Sequence, residues 1–329
     1  MEEGWERPPR IELRAEELQP LIAPAFPGQH LAEWSVLATG LANTNLRFRL
    51  KGQAGDYVLR LHTRDAAAAR REFALMQHLA HHPRSFIPLP PLVYSYPQPE
   101  QGQHPYSIWG FVQGTLLQEL FQSASSAELV RMASACGRTL AALCAHRFER
   151  CGEFGDALEI VHEYGRPSEF LPRAVQRALF EGRAGTRLGE TLRDQLWTVV
   201  ERASPRLRVI DDRYALVHGD FKRSNLLLAR ADGEWSVSAV LDWEFACAGP
   251  PLIDVGLFLR AGTRLPPGFR EAFAAAYRDA GGELPTDWLP LSRLIDVLSQ
   301  VTFLDDPRER PRVFAETIDV VKETLQMLS

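Results

Sequence analysis

The chain has 329 residues, 45% of them apolar, and a formal net charge of −5. That length is enough for two lobes around a sizeable core, and the acidic balance argues against nucleic-acid binding. No apolar run approaches the ~18 residues of a membrane span, and the acidic start Met1-Glu2-Glu3-Gly4-Trp5 carries no signal-peptide pattern, so a cytoplasmic protein without a membrane partner is expected.

The four cysteines, Cys136, Cys144, Cys151 and Cys247, form no Cys-x-x-Cys pair. They read as buried thiols rather than a metal site or disulfide. The basic residues are almost all Arg; the lysines are Lys51, Lys222 and Lys322.

Residues 1–30 are rich in proline, and Glu12 to Leu21 reads as a short helix without assigned chemistry. Residues 34–62 read as strands. Leu46-Arg47-Phe48-Arg49-Leu50 alternates apolar and basic, as a half-buried strand does. The loop before it contains Gly40, Asn43 and Thr44. Strand, small-residue loop, strand suits a phosphate-covering hairpin with amides facing the anion; an ordinary hairpin is the alternative. The strand Tyr57 to His62 carries Arg60. Asp65 then caps a helix to about His78 that carries Glu72. His78, His81 and His82 sit at its C-terminus before Pro83, where His suits the helix dipole, so they are not read as metal ligands.

Tyr106 to Gly114 is an apolar strand ending in glycine. Residues 115–150 read as helical, with Leu129, Met132, Ala133, Cys136, Leu140, Leu143 and Cys144 recurring at helical spacing. Helices are also expected over Glu190 to Ala203, Phe269 to Ala280, Trp288 to Phe303 and Val313 to Leu328.

The stretch Leu216 to Leu228 places a polar loop between two apolar runs. His218-Gly219-Asp220, four residues, then Asn225 is the spacing of a phosphoryl-transfer loop. Asp220 can accept a proton from an attacking hydroxyl. Asn225 can offer a hard oxygen to a phosphate-bridging metal. Seventeen residues after Asn225, Val240-Leu241-Asp242 ends an apolar strand on a carboxylate, the second metal ligand. Ala231-Asp232-Gly233 between them signals a tight hairpin, which makes Asn225 and Asp242 neighbours. His218 reads as a brace for the loop, not a proton carrier.

These residues, with Leu241-Asp242-Trp243-Glu244 and Gly249-Pro250-Pro251-Leu252-Ile253-Asp254, resemble the aminoglycoside phosphotransferase and choline kinase family. The resemblance is sharpest over 216–258, is weak in the N-terminal part and fades after about residue 260. It implies an α+β, protein-kinase-like two-lobe fold: a small antiparallel lobe over 1–108, a hinge over 109–114 and a large, mainly helical lobe over 115–329. It implies transfer of the ATP γ-phosphate, with GTP left open, to a hydroxyl of a small molecule, with Mg²⁺. It also implies an Arg60–Glu72 ion pair on the phosphates, phosphate contacts by Asn43 and Thr44, and backbone contacts to the base at Gly110 and Val112. An exposed strand Arg and a solvated helix Glu are the alternatives for Arg60 and Glu72. Lys222, two residues after Asp220, is expected to touch the transferred phosphate or else to face solvent. Arg223 is expected to face solvent, and Asp254 to cap its helix while accepting loop amides.

The chain departs from the family pattern in three places. Arg60 stands where kinases place Lys, the loop has a single glycine, and Pro250 fills a usually acidic position. Only eleven residues separate Asp242 from Asp254 and no Ala-Pro-Glu follows, which leaves no room for a peptide-docking segment. A protein kinase and a catalytically weak nucleotide-binding module are the rival readings.

Overall fold

The computed structural model describes residues 11–37, 43–63, 66–81, 87–97, 104–260 and 264–328. Gly40, the Asp65 cap, His82 and Pro83 lie outside the described residues. The first part holds α1 (Ala15–Ile22), β1 (Leu31–Val36), β2 (Thr44–Leu50), β3 (Asp56–Leu61), α2 (Ala66–His81), β4 (Leu92–Tyr96) and β5 (Tyr106–Gly110). The five strands form one antiparallel sheet in the order β1-β2-β3-β5-β4.

Strand alternation decides what each face of this sheet does. Leu46, Phe48, Leu50, Leu59, Leu61, Tyr106 and Ile108 are buried together with Leu18 and Ile22 of α1. Each such side chain contributes about 1.5–3 kcal/mol by leaving water. Arg60, Ser107 and Trp109 alternate with them and so fall on the other face. There Trp109 joins the core that includes Phe73 and Met76 of α2.

The second part runs β6 (Thr115–Leu116), α3 (Leu117–Ser123), α4 (Ser126–Cys144), β7 (Arg147–Phe148), β8 (Gly152–Phe154), β9 (Ile160–Glu163), α5 (Pro167–Phe180), α6 (Ala184–Leu188) and α7 (Glu190–Ala203). It continues with β10 (Tyr214–Val217), β11 (Leu226–Ala231), β12 (Glu234–Val240), β13 (Cys247–Gly249), α8 (Leu252–Phe258), α9 (Phe269–Asp279), α10 (Trp288–Asp305) and α11 (Pro311–Leu328). The expectation of continuous helix over 115–150 is corrected. Thr115 and Leu116 pair with Leu228 and Leu227 of β11, and a capping box between Ser125 and Glu128 starts α4 afresh. The helix expected over Glu12 to Leu21 begins three residues later, at Ala15.

The four cysteines are free thiols, and Cys136, Cys144 and Cys151 are buried. Gly137 lets α4 cross α9 closely, since a Cβ there would stand 2.4 Å from the Phe273 carbonyl oxygen. An aromatic column rises from that crossing to the loop after β10. Tyr277 stacks on Phe273 at 6.1 Å, Phe273 on Phe258 at 5.0 Å, and Phe258 meets Phe221 at 5.6 Å. Phe221 follows Asp220, so the loop rests on the large core. None of the described helices is long and apolar enough to cross a membrane.

Candidate active site

β10 ends at Val217, and the next three residues are fixed from below. Both oxygens of buried Asp254 accept loop amides, Oδ2 from His218 N–H at 2.7 Å and Oδ1 from Gly219 N–H at 3.0 Å. Asp254 does not cap its helix, as Pro251 holds that position; its carboxylate is spent on the loop instead. Burial pushes Asp254 up to about 7, against the pull of those amides. Gly219 has φ +75, and a Cβ there would lie 2.4 Å from the Phe245 carbonyl oxygen. Gly219→Ala is therefore expected to cost about 1–3 kcal/mol, through left-handed backbone and a backbone clash, read as a lowered Tm.

His218 is fully buried and braces the site, as its position suggested. Its Nδ1 accepts the Asp220 N–H at 3.2 Å and its Nε2 lies 3.0 Å from the Leu241 carbonyl. The proton therefore sits on Nε2, and the ring joins the loop to the strand end carrying Asp242. Burial pushes His218 down to about 4, so it stays neutral.

Asn225 closes the loop. Its Nδ2 donates to the Asp220 main-chain oxygen at 3.0 Å and to Asp220 Oδ2 at 2.8 Å. Its carbonyl oxygen is thereby turned away from Asp220. The hairpin brings Asp242 alongside: Asp232 and Gly233 both have positive φ at the turn, Leu226 pairs with Val240, and Leu241 N–H donates to the Asn225 main-chain oxygen at 2.8 Å. Asp242 itself has φ +68, a conformation that concentrates at functional positions.

Arg60 and Glu72 are buried, which removes the reading of either as a surface charge. Arg60 Nη1 reaches Glu72 Oε1 at 3.3 Å and Nη2 reaches Asp242 Oδ1 at 2.5 Å. With its amide oxygen turned to the guanidinium, Asn43 accepts from Nε at 3.2 Å and Nη2 at 2.6 Å. Burial opposes the Arg60 charge, but Glu72, Asp242 and Glu244 outweigh it and raise its pKa. Burial pushes Glu72 up to about 7, with Arg60 pulling the other way. Glu244, two residues beyond Asp242, belongs to this charge cluster; the sequence placed it in the motif Leu241-Asp242-Trp243-Glu244 without giving it a role.

Lys222 Nζ lies 3.0 Å from Asp220 Oδ1. Arg223 does not simply face solvent, because its guanidinium lies 4.3 Å above the Phe121 ring. Thr44 is buried and its hydroxyl accepts the Ile11 N–H at 3.1 Å. Its oxygen is thus tied to the N-terminal segment, while its own hydrogen remains to be donated. Gly110 N–H is held by the Pro91 carbonyl at 2.8 Å and Phe111 N–H by the Asp56 carbonyl at 2.9 Å. These two amides are therefore already engaged within the sheet.

Asn225 and Asp242 offer hard oxygens, the donor type that Mg²⁺ takes. Among the described residues no group of three or more His, Cys, Asp or Glu could hold an ion. Two protein ligands fit a cation that is completed by phosphate oxygens and water.

The model of the phosphotransferase enzyme family, APH, matches residues 33–290. The chain is similar to a thermostable mutant of aminoglycoside phosphotransferase APH(4)-Ia, solved in a ternary complex with AMP-PNP and hygromycin B. That likeness has 17% identity and a TM-score of 0.67, and covers 94% of this chain and 98% of that one. It is also similar to the GDP and kanamycin complex of APH(2")-IIia, at 19% identity and TM-score 0.68, covering 93% and 97%. The microcompartment-associated aminopropanol kinase matches at 18% identity and TM-score 0.60, covering 94% of each chain. These likenesses show a protein-kinase-like fold. Acyl-CoA dehydrogenase family member 10 of Mus musculus is 34% identical over 92 residues, 28% of this chain and 8% of that protein's length. With the family's pattern spanning both the five-stranded sheet and the loop that Asp254 and His218 hold, this chain belongs to the phosphotransferase enzyme family.

Proposed function

We propose that the chain transfers the γ-phosphate of ATP to a hydroxyl of a small molecule, in a cleft between a lobe over 1–108 and a lobe over 115–329 joined by residues 109–114. The observation that carries this reading is the hydrogen-bonded unit of Asp220, Asn225 and His218 at the strand end bearing Asp242, with Arg60 against that carboxylate.

In this reading Asp220 takes the proton of the attacking hydroxyl as the new O–P bond forms and the bond to the β-phosphate oxygen breaks. Asn225 holds Asp220 in place through its amide and, with Asp242, would hold Mg²⁺. Bound there, the ion would supply charge neutralisation on the phosphate oxygens. Arg60, positioned by Glu72 and Asn43, turns its guanidinium to the phosphates; Arg binds such oxygens bidentately where Lys acts as a point charge. The Gly110 carbonyl and Val112 meet the base edge. The acceptor class spans aminoglycoside-like antibiotics, amino alcohols and sugars. The test is ADP or GDP release by purified protein over aminoglycosides, macrolides, choline, homoserine and sugars, with ATP and GTP. Acceptor-dependent release supports the reading; nucleotide binding without turnover over the whole panel would favour a binding module.

Lys222 gives a separate test. An ammonium 3.0 Å from the Asp220 carboxylate stands where charge builds on the transferring group. Lys222→Met is expected to lower kcat by roughly 10–100-fold while raising the nucleotide KM less. Steady-state kinetics decide this, and a native kcat would place Lys222 outside the reaction.

A further inference from the structure

Among the described residues, Glu72 makes hydrogen bonds through only one of its oxygens. Oε1 takes Arg60 Nη1 and the Trp243 N–H, each at 3.3 Å. Oε2 is buried without a hydrogen-bond partner among the described residues, although His62 Nδ1 stands 3.9 Å from it. A buried carboxylate oxygen left unpaired is costly, so the direction of the His62 proton matters.

Trp109 bears on that direction. An indole N–H can only donate, and Trp109 Nε1 donates to Ser107 Oγ at 2.7 Å. The Ser107 hydroxyl therefore has its own hydrogen to give, and His62 Nε2 lies 3.2 Å away. If Nε2 accepts, the single proton of a neutral imidazole must sit on Nδ1, aimed at Glu72 Oε2. Burial, and then the Arg60 charge, push His62 down to about 3, which keeps the ring neutral. Ser107 and Arg60 are cross-strand partners on β5 and β3, so the chain crosses the sheet in one line. It begins one residue before Gly110, on the side assigned to the base, and ends at the group assigned to the phosphates.

We propose that Trp109, Ser107 and His62 form a positioning relay that acts through Glu72 on Arg60 and completes itself when nucleotide is bound. This rests on the phosphotransferase reading above. In the structure Arg60 divides its guanidinium between Glu72 and Asp242. When phosphates draw Arg60 off Asp242, Glu72 moves with it and the His62 Nδ1–H to Oε2 gap closes. The bound state gains a charge-assisted hydrogen bond that the free state lacks, and Arg60 is fixed in the orientation the phosphates need.

The test is calorimetric titration of the full chain with ADP and Mg²⁺, with steady-state kinetics on ATP. His62→Leu is expected to weaken ADP binding about tenfold, the worth of one hydrogen bond to a charged group, and to raise the ATP KM more than it lowers kcat. His62→Gln, which keeps a donor and an acceptor, is expected to restore most of that loss. In the Glu72→Gln background, His62→Leu is expected to cost little more, because the two residues act in one chain. Ser107→Ala is the smaller change and carries the same expectation should His62→Leu not fold. Native ADP affinity in a folded His62→Leu or Ser107→Ala variant overturns the relay, and so do fully additive losses in the double variant. A native chain that binds neither adenine nor guanine nucleotides overturns the functional reading itself, and the relay with it.

Discussion

Replacing Asp220 by Asn is expected to lower turnover by about 10²–10⁴ while nucleotide affinity stays near that of the native chain. The geometry isolates the effect. Asp220 is held by the Asn225 amide at 2.8 Å and by Lys222 at 3.0 Å, and its main chain is anchored through His218 and the Asp254-bound amides beside it. An Asn at 220 keeps the shape and loses the capacity to take a proton. Its amide would also meet the Asn225 amide, so a small loss of stability accompanies the loss of activity. Single-turnover measurements at saturating nucleotide separate the two, because a destabilised but folded enzyme keeps its rate per active site. Full turnover in this variant would remove Asp220 as the base.

Asp242→Ala is expected to act on binding first. It removes the carboxylate that would hold the metal, and with it the partner of Arg60 Nη2. Arg60 is buried and would keep Glu72 and Asn43 as partners. The predicted outcome is a metal–nucleotide affinity lowered by at least tenfold, with nucleotide binding that no longer responds to Mg²⁺. Titrations of ADP with and without Mg²⁺ check it. An unchanged Mg²⁺ response would remove Asp242 from the metal site.

Local signals carried the parts of the site that lie close in sequence. The run from His218 to Asn225 is one loop, and the Asp232-Gly233 turn forces Asn225 and Asp242 together, so spacing and turn chemistry were enough. Arg60 and Glu72 lie on β3 and α2, and their pairing came from a resemblance; no periodicity joins them. The relay through Ser107 was not legible at all. It depends on the register of β3 against β5 and on which hydroxyl an indole reaches, and neither leaves a trace in local composition. Arg223 was misread for a similar reason, since its aromatic partner Phe121 belongs to α3. The tie between the Thr44 hydroxyl and the Ile11 amide was not legible either, because the strand-start pattern does not reveal a partner 33 residues earlier. Asp254 was half legible: its attachment to the loop was expected, and its helix position was off by one turn because Pro251 takes the start.

The most direct measurement of the central claim is nucleotide turnover by purified protein, followed as ADP and phosphoryl product from ATP labelled in the γ-phosphate. It is run on the native chain and on Asp220→Asn, first with water as the acceptor and then with the alcohol panel. The account predicts Mg²⁺-dependent ADP release in the native chain, slow with water and faster with an accepted alcohol. It predicts that the label moves to that alcohol's oxygen and that both rates collapse in Asp220→Asn. Nucleotide binding of equal strength in the two proteins, with no label transferred by either to water or to any alcohol, would contradict it.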